Sequence, residues 1–169
     1  MITTAYVQTM SRYNIWQNKA LMDIVDAMDQ AELDQDRGAF FGSIQKTLSH
    51  LLWGDTLWMS RFDAKSAAPD CSGQEGLVRW PTKSEWATER FLCDGRIRIW
   101  AGKLRQVDLS GDLTWTYSYE DKQVTKPLGF CITHFFNHQT HHRGQVHAML
   151  TAAGQQAPVS DLSYLPEDA

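Results

Sequence analysis

Five of the chain's six histidines, His134, His138, His141, His142 and His147, stand within one short stretch. Imidazole both binds transition metals and titrates near neutral pH, so this stretch is where chemistry is to be sought. Which histidines share a face decides between a site and polar decoration. At about 100° per helical residue, His142 projects from the middle of an apolar stripe. That stripe holds Leu128, Cys131, Phe135, Val146, Met149 and Ala153. His138 lies one turn earlier and about 40° off, on the stripe's margin. An i, i+4 pair facing a core can grip one metal ion. Two buried neutral imidazoles each need a partner, because an unmet buried polar group costs about 1–3 kcal/mol, and one shared cation satisfies both. His141 and His147 turn away and read as solvated. His134, about 80° off, either extends the site or lines its mouth. The bland reading of each histidine is a hydrogen-bonded core or surface residue.

Four helical segments must position these groups. The first runs from about Tyr6 to Gln30, with Ile15, Trp16, Leu21, Met22, Val25 and Met28 at three- and four-residue steps. The second runs from near Gly42 to Phe62, on the stripe Ile44, Leu48, Leu51, Leu52, Asp55, Trp58 and Phe62. The third starts at Thr82 or Ser84 and reaches Val107, weakened by Gly95 and Gly102. The fourth starts at Pro127, continues to Ala153 and stops at Gly154. Before it, Leu113, Trp115, Tyr117 and Tyr119 alternate with polar residues, and Glu120, Asp121 and Lys122 make a turn, which predicts a short β-hairpin. Residues 63–81 read as a loop. The whole predicts an all-α four-helix bundle with a hairpin insertion, one domain over residues 1–169.

The sixth histidine, His50, lies on the second helix, about 120° from its strongest stripe, beside Trp53, Gly54 and Leu57. Helix geometry leaves it undecided, although Gly54 would permit close approach of another helix.

Composition narrows the classes. The 169 residues carry 16 basic and 20 acidic side chains, a net charge of −4. No basic block tracks a phosphate backbone, so nucleic acid is excluded as a partner. No apolar run approaches the ~18 residues of a membrane span, and the N-terminus does not read as a secretory signal. Cys71, Cys93 and Cys131 are odd in number and far apart, as expected of free thiols in the cytoplasm.

Two stretches carry a resemblance. LSHLLWGDTLWMSRF, with His50, Asp55 and Trp58, and HFFNHQTHHRGQVHAMLTAAG, with its upstream histidine and HHRGQ element, resemble the signature of the DinB/YfiT-like family. The likeness covers order and approximate spacing from residue 11 to about 165, including the hairpin and the tail DLSYLPEDA. It implies a bundle of unusual connectivity that binds one divalent metal through His50, His138 and His142. Arg143, Gly144 and Gln145 match the same element. Gln145 falls about 20° from His138 and is assigned a cofactor-binding place, and Arg143 a helix–helix or interface anchor. Members often form homodimers. Those with assigned activities are metal-dependent thiol S-transferases or a thiol-dependent isomerase.

Three neutral imidazoles leave a divalent ion with open positions, as in catalytic rather than structural zinc sites. Such an ion acidifies a bound water or thiol. Zinc, nickel and iron all suit imidazole, so its identity stays open. The first reading is a thiol S-transferase, in which a low-molecular-weight thiol attacks an electrophilic small molecule. The alternatives are a hydrolase using metal-bound hydroxide and a non-catalytic metal-binding stress or interaction protein. Asp55, Gln45 and Gln145 are candidates to orient the rings. Cys131 is read as a buried small hydrophobe over a catalytic thiol. Trp115–Tyr119 is either a lid or a cap on the bundle end. Paired E-x-x-H, HExxH, PCxxC, GxSxG and phosphate-loop motifs are absent.

Overall fold

The computed structural model describes residues 2–117 and 122–168. Among these, four long helices carry the fold: α1 (Thr4–Ala27), α3 (Ile44–Phe62), α5 (Lys83–Lys103) and α6 (Leu128–Ala152). Two short helices, α2 (Gln30–Asp34) and α4 (Gly73–Gly76), sit in the connections. Strands β1 (Asp112–Tyr117) and β2 (Lys122–Pro127) form an antiparallel hairpin in which Trp115 pairs with Val124. The fold is thus the helical bundle with a hairpin before the last helix. The predicted turn at Glu120 and Asp121, with Tyr119, lies outside the described residues.

The helix starts follow local chemistry. Thr3 and Ser43 accept hydrogen bonds from the amides of Tyr6 and Lys46. Thr82 and Glu85 form a reciprocal capping box, which selects Thr82 over Ser84 as the start of α5. Pro127 passes the chain from β2 straight into α6. At the far end Gly154 adopts φ 77°. There the Gly154 and Gln155 amides donate to the Thr151 and Leu150 carbonyls, each at 3.0 Å. This left-handed exit favours glycine.

Two ends differ from expectation. The first helix stops at Ala27 rather than Gln30, because Met28 turns extended and buries its side chain. Lys83 Nζ, from the start of α5, donates to the Asp26 and Met28 carbonyls at 2.6 and 2.7 Å. This cap comes from another helix and leaves no local signal. α5 ends at Lys103 rather than Val107. There Asp108 accepts from the Arg105 amide at 2.8 Å and its guanidinium at 2.7 Å, which favours a short 3-10 turn at Gln106–Leu109. Gly95 and Gly102 are accommodated inside α5. The loop after α3 includes α4, capped by Ser72 and Glu75.

α1 packs mainly on α5, and α3 on α6 and α5. Their apolar faces meet at Leu48, Leu52, Met59, Trp86, Ile97, Phe135, Phe136 and Leu150, all nearly solvent-free. Phe62 stacks on Trp100 and meets Phe135 edge-on, joining α3, α5 and α6. Each such side chain contributes about 1.5–3 kcal/mol by leaving water.

A polar seam crosses this core. Asp94 of α5 accepts from Asn14 and Asn18 of α1 at 2.8 and 3.0 Å. Arg90, one turn before Asp94, pairs with it at 2.7 Å and with Asp55 of α3 at 2.6 Å. Arg143 of α6 donates to the Asn14 side chain. All six are buried. Two carboxylates face two guanidiniums, so charge balances across all four long helices.

Candidate metal centre

α3 and α6 pack side by side and bring His50 against His138 and His142. Their candidate ligand atoms, one per ring, lie within 4.8 Å of one another. Ring centroids are 5.4 Å apart for His50 and His138, 4.7 Å for His50 and His142, and 4.4 Å for His138 and His142. Imidazole nitrogens around a tetrahedral ion stand about 3.4 Å apart, so small ring movements close the set.

Gly54 permits this approach. A methyl group there would come within 2.9 Å of His138 Cε1, so the ring occupies the space that a side chain on α3 would fill. The remaining polar atoms fit a cation. The Nδ1 of His138 is buried without a hydrogen-bond partner. The Nδ1 of His142 donates to Gln145 Oε1 at 2.7 Å, which leaves Nε2 with its lone pair. Gln145 therefore reaches a ligand ring, on the same helix and one turn later.

Electrostatics hold the set neutral. Burial, followed by the neighbouring His142, lowers His50 to about 4. Burial, then His142, His50, His134 and His141, lowers His138 to about 3. Burial lowers His142 as well. Each ring thus keeps a free lone pair at neutral pH, the state that ligation requires.

The other histidines separate as follows. His134 is exposed, 5.1 Å from Trp58 and 5.9 Å from His138 between ring centroids, and stands outside the close trio. His141 is exposed. His147 is half-buried and lines a different cavity, with Tyr13 and Arg143. Cys131 is buried and its thiol is pushed up by burial, which disfavours the thiolate. Asp55 and Gln45 turn elsewhere: Asp55 to Arg90, Gln45 to the Trp80 carbonyl at 2.7 Å. Arg143 is a helix–helix anchor through Asn14.

A cavity of about 450 Å³ opens beside His50, walled by Phe40, Phe41, Trp53, Leu57, Trp58 and Trp115, with Arg61 among them. Phe41 lies 4.1 Å from His50 and 5.5 Å from His142 between ring centroids. A tight loop presents it: the Arg37 amide donates to the Gly42 carbonyl at 2.8 Å, and Gly42 adopts φ 82°. Trp115 of the hairpin meets Trp58 edge-on at 5.5 Å. The hairpin therefore contributes one wall of the cavity.

Sequence reasoning missed Phe41, Arg61 and the Asn14–Asn18–Arg90–Asp94 seam. Phe41 lies outside any helical period. The seam had a signal: Asn14 and Asn18 are spaced i, i+4, as are Arg90 and Asp94, on faces that must be buried.

Among the described residues no helix is long and apolar enough to cross a membrane. The DinB family model matches residues 1–168. The chain is also similar to Protein DinB of Bacillus subtilis (strain 168), 25% identical over 152 residues, which cover 88% of this chain and 87% of that protein. With the bundle, the hairpin and the histidine trio in place, the chain belongs to the DinB family.

Proposed function

We propose that His50, His138 and His142 hold one divalent transition metal and that the chain is a metal-dependent thiol S-transferase. One observation carries this reading: three neutral imidazoles from two helices converge beside a cavity large enough for a small molecule. A divalent ion held there supplies a Lewis acid with open positions that acidifies a bound thiol or water. Zinc, nickel and iron all suit the donor set.

The chain's own residues do the rest. Gln145 fixes the tautomer of His142. Gly54 makes room for His138. Phe41 covers the His50 ring and excludes water from that side. The aromatic walls receive an electrophilic acceptor. In the reaction the thiol gives its proton to solvent and its sulfur bonds to the electrophilic carbon. The leaving group departs with the bonding pair. We place the protein in the cytoplasm on its reduced cysteines, and as a homodimer on the family likeness; light scattering tests the latter.

Elemental analysis should find about one metal per chain, and none after His142→Ala. Thiol-dependent consumption of an activated aryl or vinyl electrophile should follow metal content. Ester or amide turnover without thiol would move the assignment to a hydrolase. Metal binding with neither activity across a broad panel would leave a binding protein.

A further inference from the structure

Arg61 is the charged side chain in the wall of a mainly aromatic and apolar cavity that also includes Gln74. It sits one turn after Leu57 on α3, in the last turn of the helix. Its guanidinium carbon lies 4.6 Å from the Trp58 ring centroid and 5.2 Å from that of Trp115. The two indoles hold the cation in place by their π faces and fix its orientation. Among the described residues no carboxylate pairs with it and no acceptor takes a hydrogen bond from its N–H groups. Compare Arg79, Arg90 and Arg105, each paired with an aspartate. Arg61 is half-buried, and burial lowers its affinity for a proton. A partly desolvated guanidinium flanked by two rings, whose donors meet no protein acceptor among the described residues, suits a planar anion. The walls around it match a flat apolar body.

We propose that this cavity binds a planar, unsaturated or aromatic carboxylate, with the carboxylate on Arg61 and the ring against Trp58 and Trp115. This rests on the reading of the histidine trio as the reaction centre only in naming the bound molecule as the acceptor substrate. The binding site itself depends on Arg61 and the aromatic walls. His50 lies in the same cavity wall, so an acceptor anchored at Arg61 directs its other end toward the centre.

The test uses the full-length protein, with and without zinc, and 1-naphthoate against its neutral isostere 1-naphthamide. Binding is read from tryptophan fluorescence and by calorimetry. We expect naphthoate to bind at least about tenfold more tightly than the amide, as expected of a charge-assisted hydrogen-bonded pair. Arg61→Met, which keeps an apolar stem, should remove that preference, and Arg61→Lys should restore part of it. Circular dichroism and thermal melting check that each variant is folded. A second variant, Trp115→Leu, should weaken both naphthyl ligands and so reports the cavity even if Arg61→Met unfolds.

Three results would overturn the proposal. Equal binding of acid and amide is one. Another is a preference that survives Arg61→Met but disappears without zinc or in His138→Ala, since the carboxylate would then sit on the metal. The third is an Arg61-dependent preference seen only for N-acetylcysteine over its amide, which would assign the anion to the thiol. Conversely, Arg61-dependent naphthoate binding in a protein that takes up no metal would retain the site and refute only the metal reading.

Discussion

Gln145 settles which nitrogen of His142 faces the centre. Its Oε1 accepts from Nδ1, and the ring cannot rotate without losing that bond. Partners of this kind typically change metal affinity by about 10–100-fold when removed. Gln145→Leu should therefore weaken zinc binding by about that factor while leaving the melting temperature of the metal-free protein within a few degrees. A chelator-competition titration reads the first and calorimetry the second. Unchanged zinc affinity would remove Gln145 from the centre. His138 is the complementary case. Its Nδ1 has no partner in a buried setting, a cost of about 1–3 kcal/mol that a bound cation would offset.

At the scale of elements, the α3–α6 contact is tuned by a missing side chain. Gly54→Ala places a methyl group 2.9 Å from His138 Cε1, and that ring can swing aside. Alanine is also favoured over glycine in a helix by about 1 kcal/mol. The expected outcome is a split: metal-free stability unchanged or raised, zinc affinity reduced at least about tenfold. Loss of stability with zinc affinity intact would contradict the packing described. The polar seam predicts the opposite pattern. Arg90→Met strands Asp55 and Asp94 in the core, at a cost of about 3–5 kcal/mol in urea denaturation. A loss under 1 kcal/mol would show that the carboxylates find other partners. These elements also show what the sequence makes legible. Periodicity located the four long helices, and the helical wheel separated His138 and His142 from His141 and His147. It could not place His50, whose role depends on which face of α3 meets α6. That pairing is fixed by Gly54 and by the seam, both of which are long-range. The end of α1 was missed for the same reason, since Lys83 of α5 decides it, whereas α5 ends on a local Arg105–Asp108 pair that apolar periodicity does not register. Arg61 was legible only as a basic residue late in a helix, until Trp115 arrived from the hairpin beside it.

For the molecule as a whole, the neutral trio links stability to pH. Unfolded histidine takes up its proton near 6.5, whereas His50 and His138 do so at about 4 and about 3 in the fold. Between those limits the unfolded chain holds more protons, so these residues make metal-free stability fall as pH drops from 6.5 toward 4. His138→Leu removes one such group and should flatten the decline relative to the parent, measured as urea midpoints at stepped pH. Parallel profiles would refute the linkage. Zinc should raise the melting temperature at pH 7 and lose that effect as the pH nears about 4, where protons begin to compete for the rings. The trio is also split along the chain, with one donor near the end of the first third and two in the last long helix. A nascent polypeptide exposes a single imidazole until that helix leaves the ribosome, and one imidazole retains a cation poorly. A cation held by all three rings would therefore be taken up only after that helix is made, and cation uptake by a refolding sample would serve as a clock for the docking of α3 on α6.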